Sequence, residues 1–176
     1  MIFEVDKIHD GSFDFKLNIE KSRLAINHPD CALSEDVAIT GTLRRIKQEV
    51  QLNGQVKTVL SLICSRCLAS IKYPVACNIF TRFVPDNPAK KWEHERELHE
   101  EDVDTEFYVE NKIDITHSVH DNIVLAVPIV SLCKRDCLGL CDSCGANLNN
   151  GPCGCVKADP IDPRLEILKK LKNGMK

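Results

Sequence analysis

The stretch DVAITGTLRRIKQEVQLNGQVKTVLSLICSRCLASIKYPVACNIFTRF, residues 36–83, decides the fold. Val37, Ile39, Thr40 and Leu43 lead into Val50 and Leu52, and Asn53-Gly54 punctuates the run before Val56, Val59, Leu60, Leu62 and Ile63. An Asn-Gly step between such runs is a strong hairpin signal. A second break falls at residues 64–67, after which Ile71, Tyr73, Val75, Cys77, Ile79, Thr81 and Phe83 hold alternate positions. A period of two places alternate side chains on one face of a strand. The segment reads as an antiparallel β-meander with one buried face.

Upstream, Phe13, Phe15, Leu17 and Ile19 repeat the alternation and predict a further strand. Downstream, residues 85–110 change character: nine carboxylates between positions 93 and 110 face the single cation Arg96, the pattern of a solvated loop or linker. Asp114 is placed to cap a helix whose apolar residues Ile115, Val119, Ile123 and Val127 recur every fourth position, and Pro128 ends it. His117 and His120 stand on that helix at i, i+3 without a third ligand at metal spacing, so they read as solvent-facing or capping residues. A last amphipathic helix starts with Asp162 as cap and Pro163 at its first position; Leu165, Leu168 and Leu171 form its stripe, and Gly174 follows. The expectation is an α+β protein with an antiparallel β-meander core and a few helices. Residues 1–130 would hold the sheet core, acidic loop and helix, and residues 131–176 a cysteine-rich zinc-binding segment and a basic C-terminal helix.

Composition bounds the chemistry. With 176 residues, 43% of them hydrophobic, the chain can bury a core, and eight glycines and eight prolines exclude collagen-like and low-complexity readings. The longest apolar stretch, residues 123–130, is far short of the ~20 residues of a membrane span. The N-terminal residues have neither the basic nor the apolar part of a secretory signal, so the expected setting is cytoplasmic. A formal charge of -3 provides no global positive surface for a phosphate backbone. Any nucleic-acid contact would be local, at Arg164, Lys169, Lys170, Lys172 and Lys176, with Arg44, Arg45 and Lys47 on the sheet. The plain alternative is that these cations only solvate ordinary elements.

Ten cysteines in a reducing compartment argue for metal rather than disulfides. Eight of them fall into tight groups: Cys64/Cys67, Cys133/Cys137, Cys141/Cys144 and Cys153/Cys155. Zinc takes four thiolates in a tetrahedron, and ligands two to four residues apart let one turn supply two of them. Eight such residues imply two Zn2+ ions. Cys141-Asp142-Ser143-Cys144-Gly145 has the form of a zinc knuckle, and Cys153-Gly154-Cys155 follows closely enough to complete its site. Cys64/Cys67 with Cys133/Cys137 would then close a second site between distant parts of the chain, its charge offset by Arg66, Lys134 and Arg135. The other grouping, Cys64/Cys67 with Cys141/Cys144 as a ribbon-like site and Cys133, Cys137, Cys153 and Cys155 as the second, stays open on sequence alone. Cys31 and Cys77 stand alone and read as small buried hydrophobes. A thioredoxin-like role for Cys64-x-x-Cys67 lacks the helix N-terminus that would lower the first thiol's pKa. An iron-sulfur cluster on four cysteines is the remaining competitor.

Several of these segments resemble the YceD family: Cys64-Ser65-Arg66-Cys67-Leu68, Leu125-Ala126-Val127-Pro128, the run from Cys141 through Cys144-Gly145-Ala146-Asn147-Leu148-Asn149, and Asp162-Pro163-Arg164-Leu165. The resemblance implies a protein needed for accumulation of large-subunit ribosomal RNA, without established enzymatic activity. It also implies that the Cys-x-Arg-Cys hairpin is the broader feature, while the knuckle and Cys-x-Cys segment are absent from some members.

No Ser/His/Asp order, Gly-rich phosphate loop or isolated carboxylate pair appears, so a binding factor is expected rather than an enzyme. Its expected partner is large-subunit rRNA, a pre-ribosomal particle or a ribosomal protein, and not a membrane. A metal- or thiol-handling protein serving zinc-containing ribosomal proteins is the alternative. Eight thiolates and two Zn2+ would take the formal charge from -3 to -7.

Overall fold

The computed structural model describes residues 1–8, 11–26, 29–86 and 100–155. In chain order its strands are β1 (Ile2–Glu4), β2 (Ser12–Ile19), β3 (Cys31–Leu33), β4 (Val37–Ile46), β5 (Glu49–Ile63), β6 (Ser70–Pro85), β7 (Thr105–Tyr108) and β8 (Lys112–Asp114). The α-helices are a single turn, α1 (Glu100–Val103), and α2 (Thr116–Leu125). One six-stranded sheet runs β2-β4-β5-β6-β7, with β3 also paired to β5, while β1 and β8 form a separate ribbon. Every pairing is antiparallel except β6 with β7.

The expected alternation sorts side chains as the pleat requires. Ile39, Leu43, Leu52, Val56, Leu60, Ile79 and Phe83 point into one core with no appreciable exposure. At roughly 1.5–3 kcal/mol each, such side chains supply the main driving force for folding. The other layer of that core comes from Ile113 of β8, from Ile115 just before α2, and from Val119 and Ile123 of α2, part of the helical stripe read from the sequence. The expected cap shifts by one residue: Ile115 is the N-cap, without a side-chain capping bond, and Asp114 just before it accepts from Thr116 N through Oδ1 at 2.9 Å.

Two expectations are corrected. Asn53-Gly54 is not a turn: β5 runs through it, and Gly54 pairs with Gly41 of β4 on one side and Ile79 of β6 on the other. The β4-β5 reversal lies instead at Lys47-Gln48, flanked by the pair Ile46 and Glu49, with Lys47 in the left-handed region at φ 58°. Steric room explains the glycines. A Cβ on Gly54 would stand 2.6 Å from Thr40 O, one on Gly41 would stand 2.9 Å from Asn53 O, and the Phe15 ring covers Gly41. The second correction concerns the acidic segment, which is not loop throughout. Residues 105–108 form β7 beside β6, and Glu106 is used structurally, accepting from Ser118 Oγ of α2 at 2.6 Å. Positions 87–99 of that segment, and the expected C-terminal helix with its basic cluster, lie outside the described residues.

No helix among the described residues is long and apolar enough to cross a membrane. Gly54→Ala should lower stability by about 1–3 kcal/mol, because its methyl meets backbone rather than a yielding side chain. Asn53→Ala, on the exposed face, should change it by less than about 0.5 kcal/mol. Urea unfolding of both variants checks this, and equal losses would restore the hairpin reading of the dipeptide.

Candidate metal centres

The β5-β6 hairpin closes at residues 64–69 in a tight knuckle. Cys64 N donates to Ala69 O at 2.9 Å and Leu68 N to Cys64 O at 3.0 Å. Leu68 therefore sits in the left-handed region, at φ 60°. The same geometry returns downstream: Cys141 N donates to Ala146 O and Gly145 N to Cys141 O, both at 2.8 Å, with Gly145 at φ 71°. Two segments unrelated by their neighbours thus fold into one local form, Cys-x-x-Cys followed by a left-handed residue. Glycine takes that conformation freely, whereas leucine pays for its Cβ.

The knuckles gather two separate sets of sulfurs. Cys64, Cys67, Cys133 and Cys137 form one, and Cys141, Cys144, Cys153 and Cys155 the other, with all four Sγ atoms of each set within 4.8 Å of one another. The ribbon-like grouping is not the one the structure makes. In the first set, Cys64 Sγ lies 3.8 Å from Cys137 Sγ and Cys67 Sγ lies 3.6 Å from Cys133 Sγ. Four thiolates about 2.3 Å from a tetrahedral Zn2+ would stand roughly 3.8 Å apart, so the donor set fits such an ion.

The first cluster is anchored from both sides. Ser65 N and Oγ both donate to Ser131 O, at 2.8 and 3.1 Å, and Arg66 Nη1 donates to Cys137 O at 2.9 Å. Cys64, Cys67 and Cys137 are buried together against Ala69, Leu132 and Leu140, apart from the main core. Asn149 joins the two modules: its Oδ1 accepts from Leu138 N at 3.0 Å while its Nδ2 donates to Cys137 Sγ at 3.3 Å. The second cluster is closer to solvent: Cys144 and Cys155 are exposed and Cys141 and Cys153 partly covered, whereas in the first only Cys133 is exposed.

Without a cation the sulfurs compete for ionisation. The N–H groups of Cys67, Arg66 and Cys133 pull the Cys64 thiol down to about 6, and those of Cys144 and Ser143 do the same for Cys141, also to about 6. The neighbouring Cys137 sulfur pushes Cys133 up to about 12, and Cys144 pushes Cys155 up to about 12. In the first cluster Asn149 Nδ2 also lowers the Cys137 thiol, so Cys64 and Cys137 are prepared as thiolates against a raised Cys133; in the second, Cys141 is prepared against raised Cys153 and Cys155.

Other expected residues fall elsewhere. His117 Nδ1 and His120 Nδ1 each lie 2.9 Å from the Asp121 carboxylate, on the exposed side of α2. Burial pushes the Cys31 and Cys77 thiols up, consistent with small apolar residues. Arg45 turns away from any ligand-facing role, donating from Nη1 to Val5 O at 3.1 Å and from Nε to Lys47 O at 2.9 Å.

Comparison with known proteins bears on this arrangement. Residues 52–172, which contain all eight grouped cysteines, match the family described as "Large ribosomal RNA subunit accumulation protein YceD". The chain belongs to the YceD family. It is 29% identical over 144 residues to the chloroplastic large ribosomal RNA subunit accumulation protein YCED homolog 1 of Arabidopsis thaliana, covering 70% of this chain and 44% of that protein. It is 25% identical over 175 residues to the uncharacterized protein YlbN of Bacillus subtilis, covering 97% of this chain and 94% of that one. An uncharacterized Mycobacterium tuberculosis protein is 28% identical over 120 residues, 68% of this chain and 54% of its own length. This YceD-family chain thus spans about half the length of several relatives and nearly all of the B. subtilis one. No solved structure matches it.

Two stability measurements test the local argument. Leu68→Gly should raise stability by about 1 kcal/mol by removing the left-handed cost, read as a higher melting temperature. With metal loaded, Cys64→Ser should cost about 4 kcal/mol or more, because it opens a buried junction between segments distant in sequence. Cys153→Ser, which opens a local loop nearer the surface, should cost less than half as much. Equal melting temperatures for the two cysteine variants would contradict the distinction.

Proposed function

We propose that this chain is a non-enzymatic factor for the accumulation of large-subunit ribosomal RNA, acting as a binding protein whose shape is held by two four-thiolate Zn2+ sites. Its site ligands are Cys64, Cys67, Cys133 and Cys137 in one centre and Cys141, Cys144, Cys153 and Cys155 in the other. The observation that carries this reading is the junction of the first cluster: within the family-matching region, four sulfurs tie the tip of the β5-β6 hairpin to the chain that leaves α2. Bound there, Zn2+ supplies charge and tetrahedral geometry. The chain's own residues do the rest: backbone N–H groups orient Cys64, Arg66 fixes the Cys137 carbonyl, and Asn149 holds the Cys137 sulfur.

The partner in this reading is large-subunit rRNA within a pre-ribosomal particle in the cytoplasm. Crosslinking the tagged protein in growing cells, followed by identification of attached RNA and proteins, tests it. Recovery of large-subunit rRNA or its precursors is the expected result, and recovery of neither RNA nor ribosomal protein would overturn the assignment.

One observation favours a second reading. The solvent-facing second cluster, with Cys144 exposed, is the better placed of the two for metal exchange, as a metal-handling protein would require. Native mass spectrometry with elemental analysis should find two zinc ions per chain, and visible absorbance from iron would replace the metal assignment. Under a chromogenic chelator the metal of the first cluster should stay until the protein unfolds. Rapid exchange at both sites, with transfer to an acceptor protein, would favour metal handling over a scaffold.

A further inference from the structure

The sheet has a second face, which the metal centres do not use. Register places its outward residues in cross-strand rows. Ser12, Arg44, Gln51, Arg82 and Thr105 make one row. The next holds Asp14, Thr42, Asn53 and Phe80, and the third Lys16, Thr40, Gln55 and Asn78. A fourth holds Asn18, Ala38, Lys57 and Ala76. An antiparallel sheet with one solvated face is polar there by default, but the default has mixed charge. Apart from Arg82, these rows carry three cations, Lys16, Arg44 and Lys57, against the single carboxylate of Asp14, in a chain where acids outnumber bases by 26 to 23. That carboxylate is itself occupied, accepting from Thr42 Oγ1 at 2.6 Å. Arg82 is engaged within the fold, donating from Nε to Thr105 Oγ1 at 3.3 Å.

Phe80 is the second anomaly. It stands mid-strand among these polar rows with 48% of its surface exposed, and Phe107, on the same face of β7, is 58% exposed. Asn53 lies directly across from Phe80, with Gln51 and Gln55 on the flanking positions of β5. An open aromatic face bordered by amides and cations suits unpaired bases: rings stack on bases, amides bond their edges, and cations take the phosphates. A duplex, whose bases are already stacked, could use only the cations.

We infer that the outward face of the sheet binds single-stranded RNA, with Phe80 as a stacking platform and Lys16, Arg44 and Lys57 as phosphate contacts. This rests on the reading that the chain serves large-subunit rRNA and assigns the surface that would touch it. The interaction is sequence-tolerant, since stacking and phosphate contacts carry most of the affinity.

The test uses the purified full chain with its metal and a fluorescein-labelled uridine oligomer of about 12 nucleotides, beside a matched duplex. The single strand should bind more tightly than the duplex. Phe80→Ala and Phe80→Leu should each weaken binding about tenfold, while Phe80→Trp retains it. Replacing Lys16, Arg44 and Lys57 together with Gln should flatten the dependence of log affinity on log salt by about 2. Lys7→Gln with Lys112→Gln, on other elements and paired with Glu4 and Glu110, should change neither. Variants with unaltered melting temperatures that bind like the parent would overturn the assignment. So would a duplex preference, or binding that responds to the cations but not to Phe80. Crosslinking the same variants in cells separates this inference from the functional reading. If the parent protein recovers rRNA and the face variants recover it equally, the surface is wrong and the function stands. If the parent recovers ribosomal protein without RNA, the surface alone fails; if it recovers neither, both fail.

Discussion

Fourteen consecutive residue pairs join β5 to β6, from Val50 with Phe83 to Ile63 with Ser70, without a bulge. In a ladder that long, a slip of one residue would exchange every inward side chain for an outward one. The register therefore decides three things at once. It buries Leu52, Val56, Leu60, Ile79 and Phe83, it leaves Asn53, Lys57, Asn78 and Phe80 outside, and it places Cys64 and Cys67 at the closing turn. Gly41 and Gly54 are part of that constraint, since any side chain there would push β4 from β5 at the middle of the sheet.

The two cysteine knuckles solve the same geometric problem under different conditions. At Gly145 the left-handed turn costs little, and the cluster it serves lies near the surface. At Leu68 the turn carries a steric cost of about 1 kcal/mol, tolerated beside a long hairpin and a buried cluster. The first centre therefore draws support from the sheet, while the second rests on its own short loop and on Asn147 and Asn149, which are hydrogen-bonded to each other. Such a division agrees with one centre acting as a junction and the other as an appended module.

Charge separates the molecule's surfaces further. Loading two dications on eight thiolates makes a mildly acidic chain more acidic, so a phosphate backbone would be repelled by most of it. Attraction arises where cations outnumber carboxylates, and among the described residues the outward sheet rows meet that condition, with Lys16, Arg44 and Lys57 against Asp14. The acid-rich segment contributes to structure at one point, where Glu106 ties β7 to α2.

Much of this was readable from the chain alone, because the signals were local. Period-two alternation marked β2, β4, β5 and β6, four-residue recurrence marked α2, and cysteine spacing marked the two knuckles. The Asn53-Gly54 dipeptide misled because its meaning depends on a partner 13 positions away: glycine there answers to Gly41 across the ladder rather than to a turn. β1, β3, β7 and β8 escaped notice because strands of three or four residues carry too few alternations to stand out. The spacing of the cysteines supplied eight ligands but left two groupings open. Only the tertiary structure chose between them, because whether Cys64 meets Cys137 or Cys141 depends on where α2 returns the chain. That path is set by packing of Ile115, Val119 and Ile123 on the sheet and by the Ser65 and Arg66 hydrogen bonds, interactions between residues some 70 positions apart that no local pattern encodes.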